Sequence, residues 1–490
     1  MSLARKGILL SAADKYATQA LGVVTMAVMA RLLTPAETGL YLVANSLILL
    51  ADNFRALGVG VYIVQERDLD RAAVRAGFTV TLAMSLALGL GIWIGADAAA
   101  AFYGDPALAG LLTLAALGFV AIPFASPVVA LMQRDMAFAQ LARINVATAL
   151  FGSTVTIGLG AAGAGPASFV WGYLAATASL AVLANIMRPE SWIFRPSIAR
   201  AGAVVRFGAI STTVTLLNMA YEALPRLVFG KILGFEAVGL YGRALTVAQL
   251  PDRVIGGALT PVVLPVLATR ARAHGDLKTA YLRGVSLMCG VQWPALAVLA
   301  LLADPVVRVL LGSQWDAAAP LVRVMAIANM ALAPAILTFP LLVSLGRISD
   351  TLRASLISLP PSAAIMIAVA PMGLNAVAAS LCVTAPLQML VALVFIRRAI
   401  GLDWRELWRA VRASVAVVAA TVAAPCLLIL GASDGLALDW GETAIAATGA
   451  AAGWLVAIRL SDHPLRAEIA AALRIAAERV GWRRTAGTGA

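Results

Sequence analysis

Apolar residues run along this chain in long stretches, separated by short polar breaks that often carry Pro, Gly or Asp. The stretches match the roughly 20 residues a membrane-spanning helix needs and exceed the roughly ten alternating residues of a barrel strand. About fourteen can be counted, centred near residues 21, 48, 87, 120, 152, 176, 217, 250, 294, 330, 361, 385, 419 and 449. They predict an all-α integral membrane protein of about 14 transmembrane helices. Proline recurs inside them, at Pro123, Pro127, Pro251, Pro261, Pro265, Pro294, Pro334, Pro340, Pro360 and Pro361, where it bends a helix either for packing or for gating. The eighth stretch also holds Gly256 and Gly257, which mark it as a bending element.

Two segments repeat. "RLLTPAETGLY" at residues 31–41 returns as "KILGFEAVGLY" at residues 231–241. The identities are Leu33/Leu233, Gly39/Gly239, Leu40/Leu240, Tyr41/Tyr241, Ala44/Ala244, Leu50/Leu250 and Asp52/Asp252. A weaker echo sets "LMQRDMAFAQLARINVATAL" against "SLGRISDTLRASLISL", with Arg134 opposite Arg347. An even number of spans separates the two copies of the first hairpin, so both point the same way, as in a parallel repeat about an axis along the membrane normal. The expected layout is two pseudo-symmetric six-helix lobes plus a C-terminal helix pair. Residues 1–188 form the first lobe, 189–206 a cytoplasmic amphipathic linker and 207–398 the second lobe. Residues 399–461 form the extra pair and 462–490 a cytoplasmic amphipathic tail.

Composition agrees with a lipid-facing surface. The chain is 61% hydrophobic and only 13% charged, with a mean hydropathy of +0.90. A soluble protein is about half apolar and a quarter charged. The net charge of +12 would suit nucleic acid, but its distribution argues for a membrane. With a cytoplasmic N-terminus, most Lys and Arg fall in cytoplasmic segments, among them Arg67, Arg71, Arg75, Arg195, Arg206, Arg283, Arg397 and Arg405. The outer segment around Asp434, Asp439 and Glu442 is acidic. This positive-inside alternation predicts cytoplasmic N- and C-termini. "PESWIFRPSIARAG", with Trp192 and Phe194, "DWRELWRAVR", with Trp404 and Trp408, and the tail stripe Leu465, Ile469, Leu473, Ala476 and Val480 look like interfacial anchors.

Catalytic chemistry finds little support. Cys289, Cys382 and Cys426 lie in apolar spans as small buried hydrophobes, and His274 and His463 form no ligand set. Neither a metal site nor a cofactor is expected, and the chain is not read as an enzyme. It has no Walker or other nucleotide-binding Gly-rich motif. Its outer loops stay within roughly 15 residues, too short for a glycosyltransferase or polymerase site.

Charge inside the spans is the strongest functional signal, because a charged side chain there costs about 2.5–3.5 kcal/mol on insertion scales. Four spans carry it: Asp14 and Lys15; Asp52 and Arg55; Glu222 and Arg226; Arg243, Asp252 and Arg253. Asp52 and Arg55 are spaced i,i+3 and Glu222 and Arg226 i,i+4, so each pair shares a helix face. With a rise of about 1.5 Å per residue, Asp14, Lys15, Asp52, Arg55, Asp252 and Arg253 reach similar depths, a charged belt in the cytoplasmic half of the membrane. Arg226, Glu222 and Arg243 lie further out. Blander readings stay open: Lys15, Arg226 and Arg243 as snorkelling cations, Asp52–Arg55 as an internal structural pair.

"ARLLTPAETGLY", "VYIVQERDL", "ALMQRDMAF" and "LLGSQWDAAAPLVRVMAI", in that order, resemble the oligosaccharide flippase family of the multidrug/oligosaccharidyl-lipid/polysaccharide exporter superfamily. The resemblance implies two helical lobes around a central cavity lined largely by spans one, two, seven and eight. It implies as cargo an undecaprenyl-pyrophosphate-linked glycan moved across the bacterial inner membrane by alternating access, for surface polysaccharide or lipopolysaccharide assembly. Under it, Lys15, Arg55 and Arg253 are expected to receive the pyrophosphate and Arg226 and Arg243 to hold it after the cavity turns outward, since the planar guanidinium pairs well with phosphate oxygens. Asp14, Asp52, Glu222 and Asp252 moderate the attraction or couple an ion. The expected partners are the lipid-linked glycan, the bilayer and polysaccharide assembly proteins, with no nucleic acid, and the chain is read as a monomer. The alternatives are a multidrug and toxin cation exporter of the same superfamily, or a membrane glycosyltransferase or polymerase.

Overall fold

The computed structural model describes residues 3–56, 58–255, 276–431 and 438–470. Gly256, Gly257, Pro261, Pro265, Asp434 and the tail stripe from Leu473 onward lie outside the described residues. Every regular element among the described residues is helical, as the apolar runs predict. Eleven helical segments there are long and apolar enough to cross a membrane, against about fourteen expected from the run lengths. The three unmatched stretches are three of the four charged ones: the helices Leu3–Leu32 and Ala201–Ile232, and a stretch whose helix Phe235–Ala248 is interrupted at Gln249 and resumes over 250–255. Charged and polar residues lower the hydropathy of the first two, while the third has a helix of only 14 residues before its interruption.

The chain forms two compact units. One comprises Met1–Arg243, Leu310–Ala318 and Ala363–Val377; the other comprises Ala244–Val309, Ala319–Ser362 and Ala378–Ala490. In the first unit, Val59, Ile63, Phe78, Val128, Ile144, Ile193 and Val204 make a buried cluster. In the second, Tyr281, Val285, Cys289, Leu341, Ile396 and Val411 do the same.

The repeated Gly39/Gly239 has a structural cause within the first unit. A Cβ added to Gly39 would collide with the backbone of Phe235, and one added to Gly239 with the backbone of Pro35. Phe235 is the counterpart of Pro35 in the second copy. The two contacts are therefore the same contact made twice, as a two-fold relation between like helices requires. Only a residue without a side chain permits backbones to meet so closely.

Prolines break two corresponding spans. The fourth reads Ala107–Ala116, Gly118–Ala121, a 3-10 turn at Ile122–Phe124 and Ser126–Arg134; the tenth reads Ala319–Leu332, a 3-10 turn at Ala333–Ala335 and Thr338–Ser344. A break in lipid frees backbone carbonyls that need new donors. Neighbouring side chains supply them. Asn185 Nδ2 donates to Phe124 O at 2.9 Å, Tyr281 Oη to Pro334 O at 3.1 Å and Trp293 Nε1 to Met330 O at 2.7 Å. The second span, Pro35–Gln65, is also broken, at Gly58 with φ 61°. Arg134 Nη1 donates to Ile63 O at 2.9 Å and Glu66 O at 2.6 Å. A cation thus closes the C-terminal end of the short helix Val59–Gln65, where carbonyls lack intrahelical partners.

The linker departs from expectation. Trp192 and Phe194, read as anchors on headgroups, pack inward instead. Arg71 lies 5.2 Å from the Trp192 ring centroid, and Phe194 meets Phe78 at 5.3 Å between centroids. Arg75 Nε holds Arg195 O at 2.8 Å. The aromatic residues find apolar surface on the helix Arg71–Tyr103, which local sequence pattern does not reveal. In the tail, Leu465 and Ile469 pack with Val417 and Ile458 inside the second unit. Trp408 is exposed at the start of helix Trp404–Gly431. The acidic Asp439 and Glu442 form a capping box for helix Trp440–Leu460.

Candidate substrate-binding site

The first unit gathers polar side chains on three helices. On Pro35–Ala56, Tyr41, Asn45, Asp52 and Arg55 fall at spacings of four, seven and three residues, one face of a helix. Tyr41 Oη donates to Asn45 Oδ1 at 3.4 Å. Arg55 Nη2 pairs with Asp52 Oδ1 at 2.8 Å and Nε donates to the same oxygen at 3.0 Å. Arg55 is 5% exposed, and its Nη1 is buried with no hydrogen-bond partner among the described residues.

On Ala167–Met187, Phe169 and Tyr173 are one turn apart. Phe169 stacks on Tyr41 with centroids 4.3 Å apart. Tyr173 lies within electrostatic reach of Asp52, Arg55 and Tyr41, and its buried hydroxyl has no partner among the described residues. The third helix, Phe235–Ala248, brings Arg243. This side chain is 8% exposed and its guanidinium sits 5.9 Å from the ring centroids of both Phe169 and Trp315. Aromatic faces attract a cation without neutralising it. No carboxylate pairs with Arg243 among the described residues, and its Nε is buried without a hydrogen-bond partner there. Arg226 and Tyr41 act on it electrostatically.

Trp315 is held in place by its own ring nitrogen. Nε1 donates to Ala30 O at 2.6 Å, and Gln314 Nε2 donates to Ala30 O and to Leu33 O, the latter at 3.1 Å. The segment "GSQWDAAAP" thus satisfies carbonyls at the end of the first helix and presents an indole face to Arg243.

The other predicted residues are placed differently. Asp14 accepts from Asn145 Nδ2 at 2.8 Å, and Lys15 is exposed. Glu222 is exposed while Arg226 is half-buried. Asp252 and Arg253 belong to the second unit. Asp252 accepts from Gln292 Nε2 and lines a cavity of about 390 Å³ with Thr338, Thr351, Ser358 and Gln388. Arg253 is exposed and donates to Gln249 Oε1 at 3.1 Å. Tyr41, Phe169, Tyr173 and Trp315 were not anticipated as site residues. Signals for two of them exist: Tyr41 recurs as Tyr241, and Trp315 stands in a segment of family resemblance.

Arg243 is thus a buried guanidinium braced by aromatic rings, and Arg55 is a second buried guanidinium with one donor unmet among the described residues, both in a membrane-spanning helical protein. The chain belongs to a family described as polysaccharide biosynthesis proteins, whose model matches residues 28–320, more than half of its length. It is 25% identical over 314 residues to the lipopolysaccharide biosynthesis protein WzxC of Escherichia coli (strain K12), covering 63% of each chain. It is 25% identical over 342 residues to the succinoglycan biosynthesis transport protein ExoT of Rhizobium meliloti (strain 1021), covering 69% of this chain and 68% of ExoT. The chain thus spans just under two thirds of WzxC. Among solved structures, that of the lipid II flippase MurJ in an inward closed conformation superposes with a TM-score of 0.70 at 11% identity, covering 92% of this chain and 98% of MurJ. An inward-facing multidrug resistance transporter of the MATE family superposes with a TM-score of 0.56 at 16% identity, covering 82% and 95%. The fold is that of these transporters, and the chain is a multi-pass membrane protein.

Proposed function

We propose that this protein is a flippase that carries a lipid-linked oligosaccharide, an undecaprenyl-pyrophosphate-linked glycan, across the bacterial inner membrane for surface polysaccharide assembly. The observation that carries this reading is the two buried guanidinium donors, Arg55 Nη1 and Arg243 Nε, that have no partner among the described residues. Leaving such a donor unmade costs about 1–3 kcal/mol. A diphosphate supplies charged acceptors to Arg55 first and then to Arg243, and the planar fork of Arg suits phosphate oxygens. Asp52 already pairs with Arg55, which limits the net attraction and eases release. Arg226 adds charge beside Arg243, while Lys15 and Arg253, both exposed, would be the first to receive a headgroup. The kinship with WzxC and ExoT supports the biosynthetic setting, and the likeness to MurJ supports the mode of transport by alternating access.

A cation exporter of the same superfamily is disfavoured by a buried Arg243 that no carboxylate offsets among the described residues. Of the four acids, Asp14 and Asp52 are engaged by Asn145 and Arg55, and Glu222 is exposed. Asp252, in a largely apolar cavity that also carries the hydroxyls and amide of Thr338, Thr351, Ser358 and Gln388, is the one suited to exchanging a coupling ion. The protein acts as a monomer with both termini in the cytoplasm.

The test is reconstitution into proteoliposomes with a fluorescent lipid-linked sugar and, separately, a fluorescent drug cation. The wild type should move the sugar lipid and not the cation. Arg55→Gln and Arg243→Gln should each stop the movement while the protein remains folded in the membrane. Transport of the cation alone, or full sugar-lipid transport by the double variant, would reject the assignment.

A further inference from the structure

The second unit carries a basic pocket distinct from the residues above. Arg347, Arg353 and Arg398 line an open cavity of about 390 Å³ floored by Leu356, Ile357 and Phe395. Gly346, with φ 69°, turns the chain into the helix Ile348–Val369. Asp350 is the pocket's one acid and is 6% exposed. It accepts from Arg347 Nε at 2.8 Å and Arg353 Nη1 at 3.2 Å. One carboxylate is thus shared by two guanidiniums. Arg398 has no carboxylate partner among the described residues and lies 6.0 Å from the Phe395 ring centroid. Three cations against one anion leave the pocket with a surplus of positive charge.

The geometry points to an anionic phospholipid as the occupant, its phosphate on Arg353 and Arg398 and an acyl chain along Leu356 and Ile357. Arg353, Leu356 and Ile357 fall at i, i+3 and i+4, so one helix face passes from charged to apolar within a turn. The side chain of Arg353 is 69% exposed, and Leu356 and Ile357 are 49% and 54% exposed. The flanking helices are the apolar spans Ser349–Met372 and Leu374–Ile400, so the pocket opens at the level where a span meets headgroups. A water-soluble anion would leave the apolar floor bare. A zwitterionic lipid would cover the floor but bring its own cation to a site already rich in positive charge. An anionic phospholipid matches both, in the way basic pockets between membrane helices take such headgroups. This inference does not rest on the transport reading, and the pocket serves as a fixed lipid site, not a cargo site.

The experiment is native mass spectrometry of the purified full chain titrated with phosphatidylglycerol and phosphatidylcholine of equal chain length. The wild type should retain one phosphatidylglycerol per chain in preference to phosphatidylcholine. R353Q/R398Q should weaken that retention by about thirtyfold, given the usual worth of two basic groups at an anionic surface. R353K/R398K should keep most of it, and added undecaprenyl pyrophosphate should not displace the bound phosphatidylglycerol. Wild-type-like retention by R353Q/R398Q, or no preference in the wild type, would overturn the proposal. Displacement by undecaprenyl pyrophosphate would overturn it in favour of a cargo site. Both arginines have exposed side chains, so unchanged melting of the variants separates lost binding from lost fold.

Discussion

Replacing Gly39 by Ala puts a methyl group where the two repeated helices meet. An ideal Cβ there lies 2.6 Å from the Phe235 carbonyl carbon and 2.8 Å from the Gly239 nitrogen, with the Phe235 oxygen nearer still. Carbon atoms in contact settle at about 3.5–4.0 Å, so the crossing must open by about 1 Å. The obstructing atoms are backbone and cannot rotate aside. Overpacking costs about 1–3 kcal/mol, while Ala regains up to about 1 kcal/mol of helix propensity over Gly. A net loss of about 1–2 kcal/mol follows. Gly239→Ala meets the Pro35 carbonyl carbon at 2.8 Å and should lose a similar amount. Both methyl groups press on one crossing, so the opening that admits the first also admits the second. The double variant should therefore cost clearly less than the sum. Gly22→Ala, with nothing within 4 Å of its added Cβ, is the control and should be neutral or stabilising. Melting of the detergent-purified variants, followed by size-exclusion retention after heating, reads all four. Wild-type melting of either single crossing variant, or strict additivity in the double, would refute a shared backbone contact.

Further outcomes follow from single side chains. Arg134→Ala removes the donor to Ile63 O and Glu66 O and should cost about 2 kcal/mol, with Arg134→Lys recovering part of it, in the same melting assay. Trp315→Phe keeps an aromatic face but loses the donor to Ala30 O; because Gln314 also serves that carbonyl, the loss should be about 1 kcal/mol. His463 is 2% exposed, and burial holds its imidazole below the ordinary 6.5. The unfolded chain then takes up a proton first as pH falls, so its contribution is complete above pH 6.5 and is lost below it. Melting temperatures compared at pH 7.5 and 5.5 should fall more for the wild type than for His463→Gln.

Much of the architecture was legible along the chain. Run length and charge distribution pointed to a helical membrane protein, since a bilayer imposes its thickness and its polarity on sequence directly. The repeat marked Gly39, Tyr41 and Asp52 before any contact was visible. Charge in the spans singled out Arg55 and Arg243 for the same reason: lipid makes an ion costly wherever it stands. The Trp192 and Phe194 reading failed because an aromatic flanked by arginines looks alike on headgroups and on a neighbouring helix.

Hydropathy is a property of each residue and its near neighbours, so the sequence alone determined class, span positions and the inventory of intramembrane charge. Which charges are neutralised is a property of the faces that meet, and tertiary structure alone decided it. Asp14 has only a hydrogen bond from the neutral amide of Asn145 and Asp350 is shared by Arg347 and Arg353, while Arg243 is left between Phe169 and Trp315 with a donor unmet among the described residues. Residues far apart in the chain supply those partners, and no local pattern encodes which of them a folded chain will bring within reach.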